Sequence, residues 1–353
     1  MVHVLGYDVG GANTKVALVC VKKGKLLNAE VAVEYFPIWK QPEKLASILL
    51  TLKERLGASR LDGVGVTMTA ELSDAYQTKR EGVNHILGCV LKAFPDVPVY
   101  VLDTEAKLEP LDVAKQEPLG VAAANWGATG WLVAQHLKYC VVVDVGSTST
   151  SVIPVVNGQV AVRGKTDFDK LICGELVYTG SLRTNVAAIV QSIPIRGGVA
   201  GVASEFFALS GDVHLVLSNI TERDYISETA DGRGKTVSEA LSRLARVVCA
   251  DTEMLTRKEI INMAQYIYEK QIAQVAESLT KVYLHAKSEA LVKVPVVVTG
   301  LGKNFIARKA AEAVGVDAIV DLGTLLPKKA VLATPAFGVA LMAATKLEGE
   351  IVK

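Results

Sequence analysis

One short pattern occurs twice in the chain and constrains its fold more than any other feature. Residues 8–15 read DVGGANTK, and residues 144–151 read DVGSTSTS. Each copy follows an apolar run and precedes a second apolar run that ends in a tight turn, at 23–24 and at 157–158. The pattern predicts a strand, a small polar turn and a returning strand, written twice. Two unrelated hairpins are the alternative, but the matched flanking segments favour an internal duplication.

Both turns contain the residue types that bind phosphate. Glycines and short polar residues in a turn direct backbone N–H groups and hydroxyls toward one point. Two such turns facing each other would bind a diphosphate. The predicted phosphate-binding residues are Gly10, Gly11, Asn13, Thr14 and Lys15 in the first copy and Gly146, Ser147, Thr148 and Ser149 in the second. Lys15 is equally well explained as a solvated strand lysine.

An aspartate opens each turn, Asp8 in the first copy and Asp144 in the second. Carboxylates at strand ends can hold Mg²⁺ through water, so both are candidate metal ligands and catalytic residues. The alternative is that each only caps its turn. Mg²⁺ is the one cofactor that these residues predict.

The composition narrows the functional class. The formal net charge is +1 over 353 residues and no basic block occurs, so neither nucleic acid nor a membrane is an expected partner. The five cysteines are odd in number and scattered, which is typical of reduced thiols in a cytoplasmic protein. The N-terminus lacks the basic flank of a secretion signal. The sequence leaves open whether the chain forms a homo-oligomer.

The length and the alternation of elements predict two lobes with a cleft between them. The first lobe is expected at residues 1–137, ending in a long helix over 119–137, and the second at 138–353, with an irregular insertion at about 160–235. The helix after Pro335 either stays with the second lobe or returns to the first. Thr236 and Thr256 each precede a glutamate by three residues, which predicts two capped helices.

The ordered motifs resemble the sugar kinase/Hsp70/actin (ASKHA) superfamily, and a narrower set resembles its hydantoinase/oxoprolinase-related group. The superfamily motifs are the two turns, Gly300-Leu301-Gly302 and residues 334–338. The narrower motifs are VTMTAEL at 66–72, AAANW at 122–126, CGELVYTG at 173–180, TADGR at 229–233 and RLAR at 243–246. These motifs resemble most the branch found beside tetrahydromethanopterin-linked one-carbon pathways, which includes methanofuran biosynthesis.

The resemblance implies an α/β protein with a duplicated ribonuclease-H-like fold of the actin, Hsp70 and sugar-kinase type. It also implies a transferase of methanofuran biosynthesis. Such an enzyme condenses an aminomethylfuran-methyl diphosphate with the phenol of γ-glutamyltyramine, forms an aryl ether and releases diphosphate. The implied partners are therefore a small-molecule diphosphate and a phenolic amine acceptor.

The acceptor phenol needs a base, and three carboxylates are candidates. Glu71 follows a predicted strand and is favoured, Glu175 lies in a Gly-flanked loop, and Asp74 is more typical of a turn cap. The candidate substrate-binding residues are Asn125, Tyr178, Arg183 and Arg196, and a surface charge is the alternative for each of the two arginines. Trp126 is better explained as a core residue.

Two other functions remain open at this stage. Gly300 and Gly302 resemble a nucleotide-binding turn, so an ATP-dependent small-molecule kinase or a hydantoinase-like hydrolase is the first alternative. A nucleotide-switched binding protein is the second. Gly234-Lys235-Thr236 imitates the end of a P-loop, but the opening glycine is missing and Thr236 is explained as a helix cap.

Overall fold

The two copies of the sequence pattern lie in two sheets of similar topology. The computed structural model describes residues 1–290 and 292–352. The first sheet has the strands β1 (Val2–Val9), β2 (Asn13–Lys22), β3 (Lys25–Tyr35), β4 (Gly63–Met68), β5 (Val99–Leu102) and β6 (Leu108–Pro110). The second sheet has β7 (Cys140–Val145), β8 (Thr150–Val156), β9 (Gln159–Val160) and β10 (Leu176–Val177), and it ends with β13 (Val296–Gly300) and β14 (Ile319–Asp321). A separate hairpin consists of β11 (Ser192–Ile195) and β12 (Gly198–Gly201).

Five strands of each sheet follow the same order. The first runs β3-β2-β1-β4-β5-β6, and the second runs β10-β8-β7-β13-β14 with β9 beside β8. The first strand of each copy lies in the middle, with its returning strand on one side and a later parallel strand on the other. This order and the turn after each central strand define a duplicated ribonuclease-H-like fold, as the sequence predicted.

Eleven α-helices are described within residues 1–290 and 292–352. They are α1 (Leu45–Arg55), α2 (Lys79–Ala93), α3 (Leu111–Gln116), α4 (Asn125–Ala134), α5 (Asp167–Cys173), α6 (Val186–Ile189), α7 (Ser210–Val216), α8 (Val237–Arg246), α9 (Arg257–Ser288), α10 (Arg308–Val314) and α11 (Thr334–Glu348). Thr236 and Thr256 each accept a hydrogen bond from the glutamate amide three residues on, so both predicted capping boxes are confirmed.

The chain divides into two compact units. The first contains Met1–Cys140, Ile153–Lys170 and the residues from Leu322 onward, and the second contains Val141–Val152 and Leu171–Asp321. Valine, leucine, isoleucine and alanine fill the core of the first unit between its sheet and the helices α1 and α2. The second unit has its own core around α7, α8 and the N-terminal half of α9.

Helix α11 covers the other face of the first sheet. A Cβ on Gly6 would lie 2.1 Å from the carbonyl oxygen of Ala336, and a Cβ on Gly65 would lie 2.6 Å from that of Val339, so only glycine lets the helix approach this closely. The segment Ala330–Glu348 has the length and composition of a membrane span, but 72% of its apolar window is buried. It is a core helix of the first unit.

The long helix predicted over residues 119–137 is interrupted. Pro118–Val121 forms a single 3₁₀ turn, Ala123 has a left-handed backbone with φ 51°, and α4 begins only at Asn125. The carbonyl of Gly120 accepts a hydrogen bond from the amide of Thr104, outside the helix, at 2.8 Å. The alanine-rich composition favours a helix, but this tertiary hydrogen bond ends the turn.

Candidate active site

The first polar turn joins β1 to β2 and is closed by one backbone hydrogen bond. The amide of Gly10 donates to the carbonyl of Asn13 at 3.0 Å. The carbonyls of Gly11 and Ala12 accept from the amides of Ile38 and Phe36, which follow β3. The carbonyls of the turn are therefore held by protein on one side, and a turn with this geometry presents its amides on the other side, as in anion-binding loops.

The second turn has the same construction. The amide of Gly146 donates to the carbonyl of Ser149 at 2.9 Å, and the carbonyl of Ser147 accepts from the amides of Leu182 and Arg183, which follow β10. Gly10 thus corresponds to Gly146, Gly11 to Ser147 and Asn13 to Ser149. The repeat extends beyond the turn residues to the segment that supports them.

A buried chain of polar side chains supports the second turn. A Cβ on Gly180 would lie 2.6 Å from the backbone of Thr148, so this segment packs directly under the turn. Gln271 of α9 donates to the carbonyl of Gly180 at 2.8 Å, and its amide oxygen lies 2.9 Å from Nε2 of His214. Burial lowers the pKa of His214 to about 4, so the ring is neutral near pH 7 and Nε2 donates to Gln271.

Asp8 lies at the end of β1, next to the first turn. Its carboxylate is almost completely buried, and Nζ of Lys15 lies 3.4 Å from Oδ2. Oδ1 has no hydrogen-bond partner in the described part of the chain, and the same is true of Oγ1 of Thr67, which is aligned with Asp8 on the parallel strand β4. Burial raises the pKa of Asp8, and Lys15 opposes this effect. An unpaired buried carboxylate oxygen is costly unless a ligand satisfies it.

The structure places Asn13, Thr14 and Lys15 in three different environments. The Oδ1 atom of Asn13 is buried in the turn without a partner among residues 1–290 and 292–352. Thr14 is fully buried and aligned with Val9, while Lys15 is aligned with Asp8 and keeps a third of its side chain exposed. Alternate residues of a strand point to opposite faces, so Lys15 shares the face of Asp8 and Thr14 does not.

Glu71 is the carboxylate with the most unusual environment. It lies in the 3₁₀ turn Ala70–Leu72 that follows β4, and 1% of its surface is exposed. Neither carboxylate oxygen forms a hydrogen bond to a described residue, and the cation nearest to it is Lys79, whose Nζ lies 3.7 Å from Oε1. Burial raises the pKa of Glu71 to about 7, although Lys79 lowers it. A carboxyl group with this pKa can accept a proton near neutral pH.

Helix α5 brings two further charged side chains into the first unit. Oδ2 of Asp167 lies 2.9 Å from Nζ of Lys79, and Nζ of Lys170 lies 3.5 Å from the centroid of the Trp126 ring. The indole Nε1–H of Trp126 is buried and has no acceptor in the described chain. Asn125, the first residue of α4, precedes Trp126. Trp126 is buried as predicted, yet its unpaired N–H also makes it a candidate contact for substrate.

The remaining predicted site residues lie in the second unit. Asp144 is the last residue but one of β7 and is half-buried, Glu175 is buried just before β10, and Tyr178 is exposed. Nη1 of Arg183 donates to Oγ1 of Thr148 at 3.2 Å, which ties this arginine to the second turn. Arg196 instead forms an ion pair with Glu259, with Nε 2.6 Å from Oε1. Asp74, the third candidate base, is exposed in the first unit.

Gly300 and Gly302 follow β13 and pack against the end of β7. A Cβ on Gly300 would lie 2.5 Å from Oδ1 of Asp144, and one on Gly302 would lie 2.4 Å from Cγ1 of Val145. The amide of Gly302 donates to the carbonyl of Val145 at 3.0 Å. This close packing already requires both glycines, and their nucleotide-binding role stays a prediction.

Two of the motifs that carry the family resemblance form an ion-pair network inside the second unit. Nη2 of Arg243 lies 2.8 Å from Oδ1 of Asp212, and both side chains are fully buried. Asp231 accepts from Nη1 of Arg243 at 3.1 Å and from Nη1 of Arg246 at 3.0 Å. TADGR and RLAR therefore have a structural role that explains why they occur together.

The residues present fit a hydrated Mg²⁺ better than a protein-caged metal. Among residues 1–290 and 292–352, no group of three or more His, Cys, Asp or Glu side chains is arranged to hold a metal ion. The unpaired Oδ1 of Asp8 and the unpaired Oδ1 of Asn13 are hard oxygen donors of the kind that Mg²⁺ accepts beside water and phosphate.

Several residues of the first unit were missed from the sequence. Lys79 lies outside the segments that were interpreted from the sequence, and Asp167 and Lys170 lie in the segment at about 160–235 that was interpreted as irregular. Thr78 accepts from the amide of Glu81 and caps α2, so this pair was a signal that places Lys79 in the first turn of a helix. No local signal connects Lys79 with Asp167, which lies far along the chain.

The fold and the two turns define the class: a protein with the duplicated fold of actin, Hsp70 and the sugar kinases. A solved structure of acetone carboxylase in a nucleotide-free state superposes with a TM-score of 0.59 over 96% of this chain and 70% of that chain, at 10% sequence identity. The hydantoinase/oxoprolinase family model matches residues 62–346, and the chain belongs to this family.

The chain aligns with nearly the full length of two curated relatives. A protein of Methanocaldococcus jannaschii is 38% identical over 98% of this chain and 99% of its own, and one of Methanococcus vannielii is 35% identical over 62% of this chain and 97% of its own. Both are named (4-{4-[2-(gamma-L-glutamylamino)ethyl]phenoxymethyl}furan-2-yl)methanamine synthase.

Proposed function

We propose that this protein is the synthase that forms the phenoxymethyl ether of (4-{4-[2-(γ-L-glutamylamino)ethyl]phenoxymethyl}furan-2-yl)methanamine, a step of methanofuran biosynthesis. The observation that carries the proposal is the 38% identity to a synthase of this name over nearly the full length of both chains. The protein is then a transferase that moves an aminomethylfuran-methyl group from diphosphate to a phenol.

The reaction exchanges one C–O bond for another. The bond between the furan-bound CH₂ carbon and the diphosphate oxygen breaks, and both of its electrons leave with diphosphate. The electron-rich furan ring stabilises positive charge on that carbon, and the phenol oxygen of γ-glutamyltyramine forms the new bond. The phenol proton passes to a base, for which the buried carboxylate of Glu71, with a pKa of about 7, is best suited.

The leaving diphosphate needs preorganised positive partners. The turn at residues 10–14 can present backbone amides to the diphosphate, because the carbonyls of Gly11 and Ala12 already accept hydrogen bonds from the segment after β3. Lys15 adds a cation on the face of Asp8. The turn at residues 146–149 has the same hydrogen bonds and belongs to the same proposal as a second phosphate loop. Loss of one such donor typically costs about a hundredfold or more in rate.

Mg²⁺ belongs to the proposal, with Asp8 as the candidate ligand in the first unit and Asp144 as the corresponding candidate in the second. When bound, it would offset negative charge on the departing diphosphate. Purified protein that has been stripped with chelator is expected to lose turnover, and added Mg²⁺ is expected to restore it. Asp8→Asn is expected to lose activity that added Mg²⁺ does not restore.

Substrate contacts complete the proposal. Trp126 has an aromatic face and an unpaired N–H, and Asn125 is beside it, so these two suit an aromatic substrate with polar substituents. Tyr178 and Arg183 are the candidate substrate contacts within the second unit. Two small molecules are the expected partners, and the low net charge favours a cytoplasmic protein that binds neither nucleic acid nor membranes.

The decisive experiment supplies both proposed substrates and Mg²⁺ to the purified protein. Release of one pyrophosphate for each ether molecule formed, detected by mass spectrometry of the product, is the expected result. Release of pyrophosphate without the ether would mean hydrolysis, and no release of pyrophosphate with both substrates present would refute the assignment.

The alternative is ATP-dependent chemistry on the same fold, which Gly300 and Gly302 motivate. The test is to measure the melting temperature with ATP and with pyrophosphate, each with Mg²⁺. Stabilisation by pyrophosphate but not by ATP supports the ether synthase. Stabilisation by ATP together with ADP formation supports the kinase or hydrolase.

A further inference from the structure

The carboxylate of Glu71 lies close to a cation but accepts no hydrogen bond from a side chain or amide that the structure describes. Both of its oxygens are buried without a hydrogen-bond partner in the described chain, while Nζ of Lys79 lies 3.7 Å away, beyond hydrogen-bond range. A carboxylate whose oxygens are not occupied keeps its lone pairs for an incoming proton. A cation at this distance still stabilises the negative charge.

Lys79 is held in that position from the other side. It is the first residue of α2, and its ammonium group is bound to Asp167 of α5 at 2.9 Å. This closer partner holds the ammonium beside Glu71 without drawing it onto the carboxylate. The side chains of Lys79 and Asp167 are each about three-quarters buried, so solvent screens the pair less than it screens a surface ion pair.

We propose that Lys79, fixed by Asp167, is the positioning residue that favours the charged form of the Glu71 carboxylate and leaves its oxygens unoccupied, so that they can accept the phenol proton of the acceptor. The inference rests on the proposed function for the identity of that proton. The arrangement of the three side chains does not depend on it.

The charged and titratable groups that face Glu71 come from three places. Lys79 of α2 stabilises the carboxylate, Asp167 of α5 opposes it, and Tyr76, in the loop before α2, interacts with it electrostatically. Removal of Lys79 should therefore raise the pKa of Glu71, and removal of the Asp167 charge should lower it. A structural role for Lys79 alone would predict neither shift.

The experiment measures the titration of Glu71 directly and separately from turnover. Full-length protein carrying ¹³C-labelled glutamate is titrated by NMR, with Glu71→Gln used to assign the Glu71 carboxyl signal. Lys79→Met is expected to raise the Glu71 midpoint by about one pH unit or more, since an opposite charge at this distance lowers a carboxyl pKa by about 1–3 units. Lys79→Arg restores most of the original midpoint, and Asp167→Asn lowers it.

Arg80→Met is the matched control, because it removes the same charge from the adjacent, exposed position of α2. It should leave the midpoint unchanged. An unchanged Glu71 midpoint in both Lys79→Met and Asp167→Asn, or an equal shift in Arg80→Met, would overturn the proposal.

Kinetics then separate this inference from the proposed function. In an active enzyme, Lys79→Met should lower kcat about tenfold or more at pH 7, move the rising limb of the pH profile upward and leave KM for the diphosphate unchanged. A wild-type protein that makes no ether refutes the proposed function, while the NMR midpoints still decide whether Lys79 controls Glu71.

Discussion

A Cβ placed on Gly82 would lie 2.6 Å from the Cα atom of Glu71, so α2 contacts the backbone of this residue with no space for a side chain. Gly82→Ala must displace either the helix or the turn that carries Glu71. We expect a loss of about 1–3 kcal/mol of stability, as for other overpacked sites, and a marked fall in kcat. Thermal denaturation and steady-state kinetics measure the two effects.

Gly88 of the same helix provides the matched control. A Cβ there would have no neighbour within 4 Å, and the position is exposed. Gly88→Ala should leave kcat unchanged and stabilise the protein by up to about 1 kcal/mol, because alanine favours a helix. Equal kinetic defects in both variants would show that contact with Glu71 is not the cause.

Glu71 makes the stability of the protein depend on pH. Its pKa of about 7 in the folded state lies above the ordinary glutamate value of 4.5, so the folded state binds the proton more tightly and loses stability as pH rises between these values. The loss amounts to about 3 kcal/mol. Glu71→Gln should therefore gain stability relative to wild type between pH 5 and pH 8, measured by urea denaturation. The exposed Glu54→Gln should show no such gain, and a pH-independent difference for Glu71→Gln would contradict the prediction.

The pH dependence of turnover should identify the base. If Glu71 accepts the phenol proton, kcat/KM rises with pH through about 7 as its carboxyl group loses its proton. Glu71→Gln should lower kcat about 10²–10⁴-fold. Glu175→Gln and Asp74→Asn test the other two candidates under the same conditions. If either of these, and not Glu71→Gln, removes the rising limb, the base is misassigned.

Gly10 and Gly11 allow the first turn to be tested in two ways. A Cβ on Gly11 has no neighbour within 4 Å, so Gly11→Ala should fold with a change in stability of about 0.5 kcal/mol or less and only place a methyl group at the turn surface. We expect pyrophosphate affinity to fall about tenfold, measured by calorimetry. Gly10→Ala should instead destabilise the turn, because its Cβ would lie 2.7 Å from the carbonyl of Asn13. Unchanged affinity in Gly11→Ala would exclude this turn as the anion site.

The Arg243 network should affect stability and not chemistry. Arg243→Met leaves Asp212 as an uncompensated buried charge, which costs about 3–5 kcal/mol. Asp212→Asn combined with Arg243→Met should recover part of that loss in a double-mutant cycle, and Arg246→Met, at a partly exposed position, should cost about 1 kcal/mol or less. A normal melting temperature for Arg243→Met with lost activity would instead place Arg243 in the catalytic machinery.

Features encoded by local patterns could be predicted from the sequence. The two turns, the strands on either side of them and the helix caps at Thr236 and Thr256 depend on residues within a few positions of each other. Glu71 was identified as the favoured base because it follows a strand whose polar end was visible. The raised pKa of Glu71 was not predictable, since it arises from burial and, to a smaller extent, from the like negative charge of Asp167 on α5.

Features that depend on long-range contacts could not be predicted. Thr14 was predicted to bind phosphate from its position in the motif, and that role stays a prediction. The burial that its register opposite Val9 gives its side chain was not visible in the sequence. Asp167 and Lys170 lie in a segment interpreted as irregular, and their roles come from contacts with Lys79 and Trp126. Such pairs leave no periodicity or spacing in the sequence.

The packing of α11 against Gly6 and Gly65 has a consequence for how the protein is made. Strand β1 leaves the ribosome long before α11, the helix that covers one of its faces. The sheet that carries Asp8 therefore keeps an apolar face uncovered until α11 has been synthesised. Chaperones that shield such surfaces should bind nascent chains that end before Thr334 and release them once α11 has emerged.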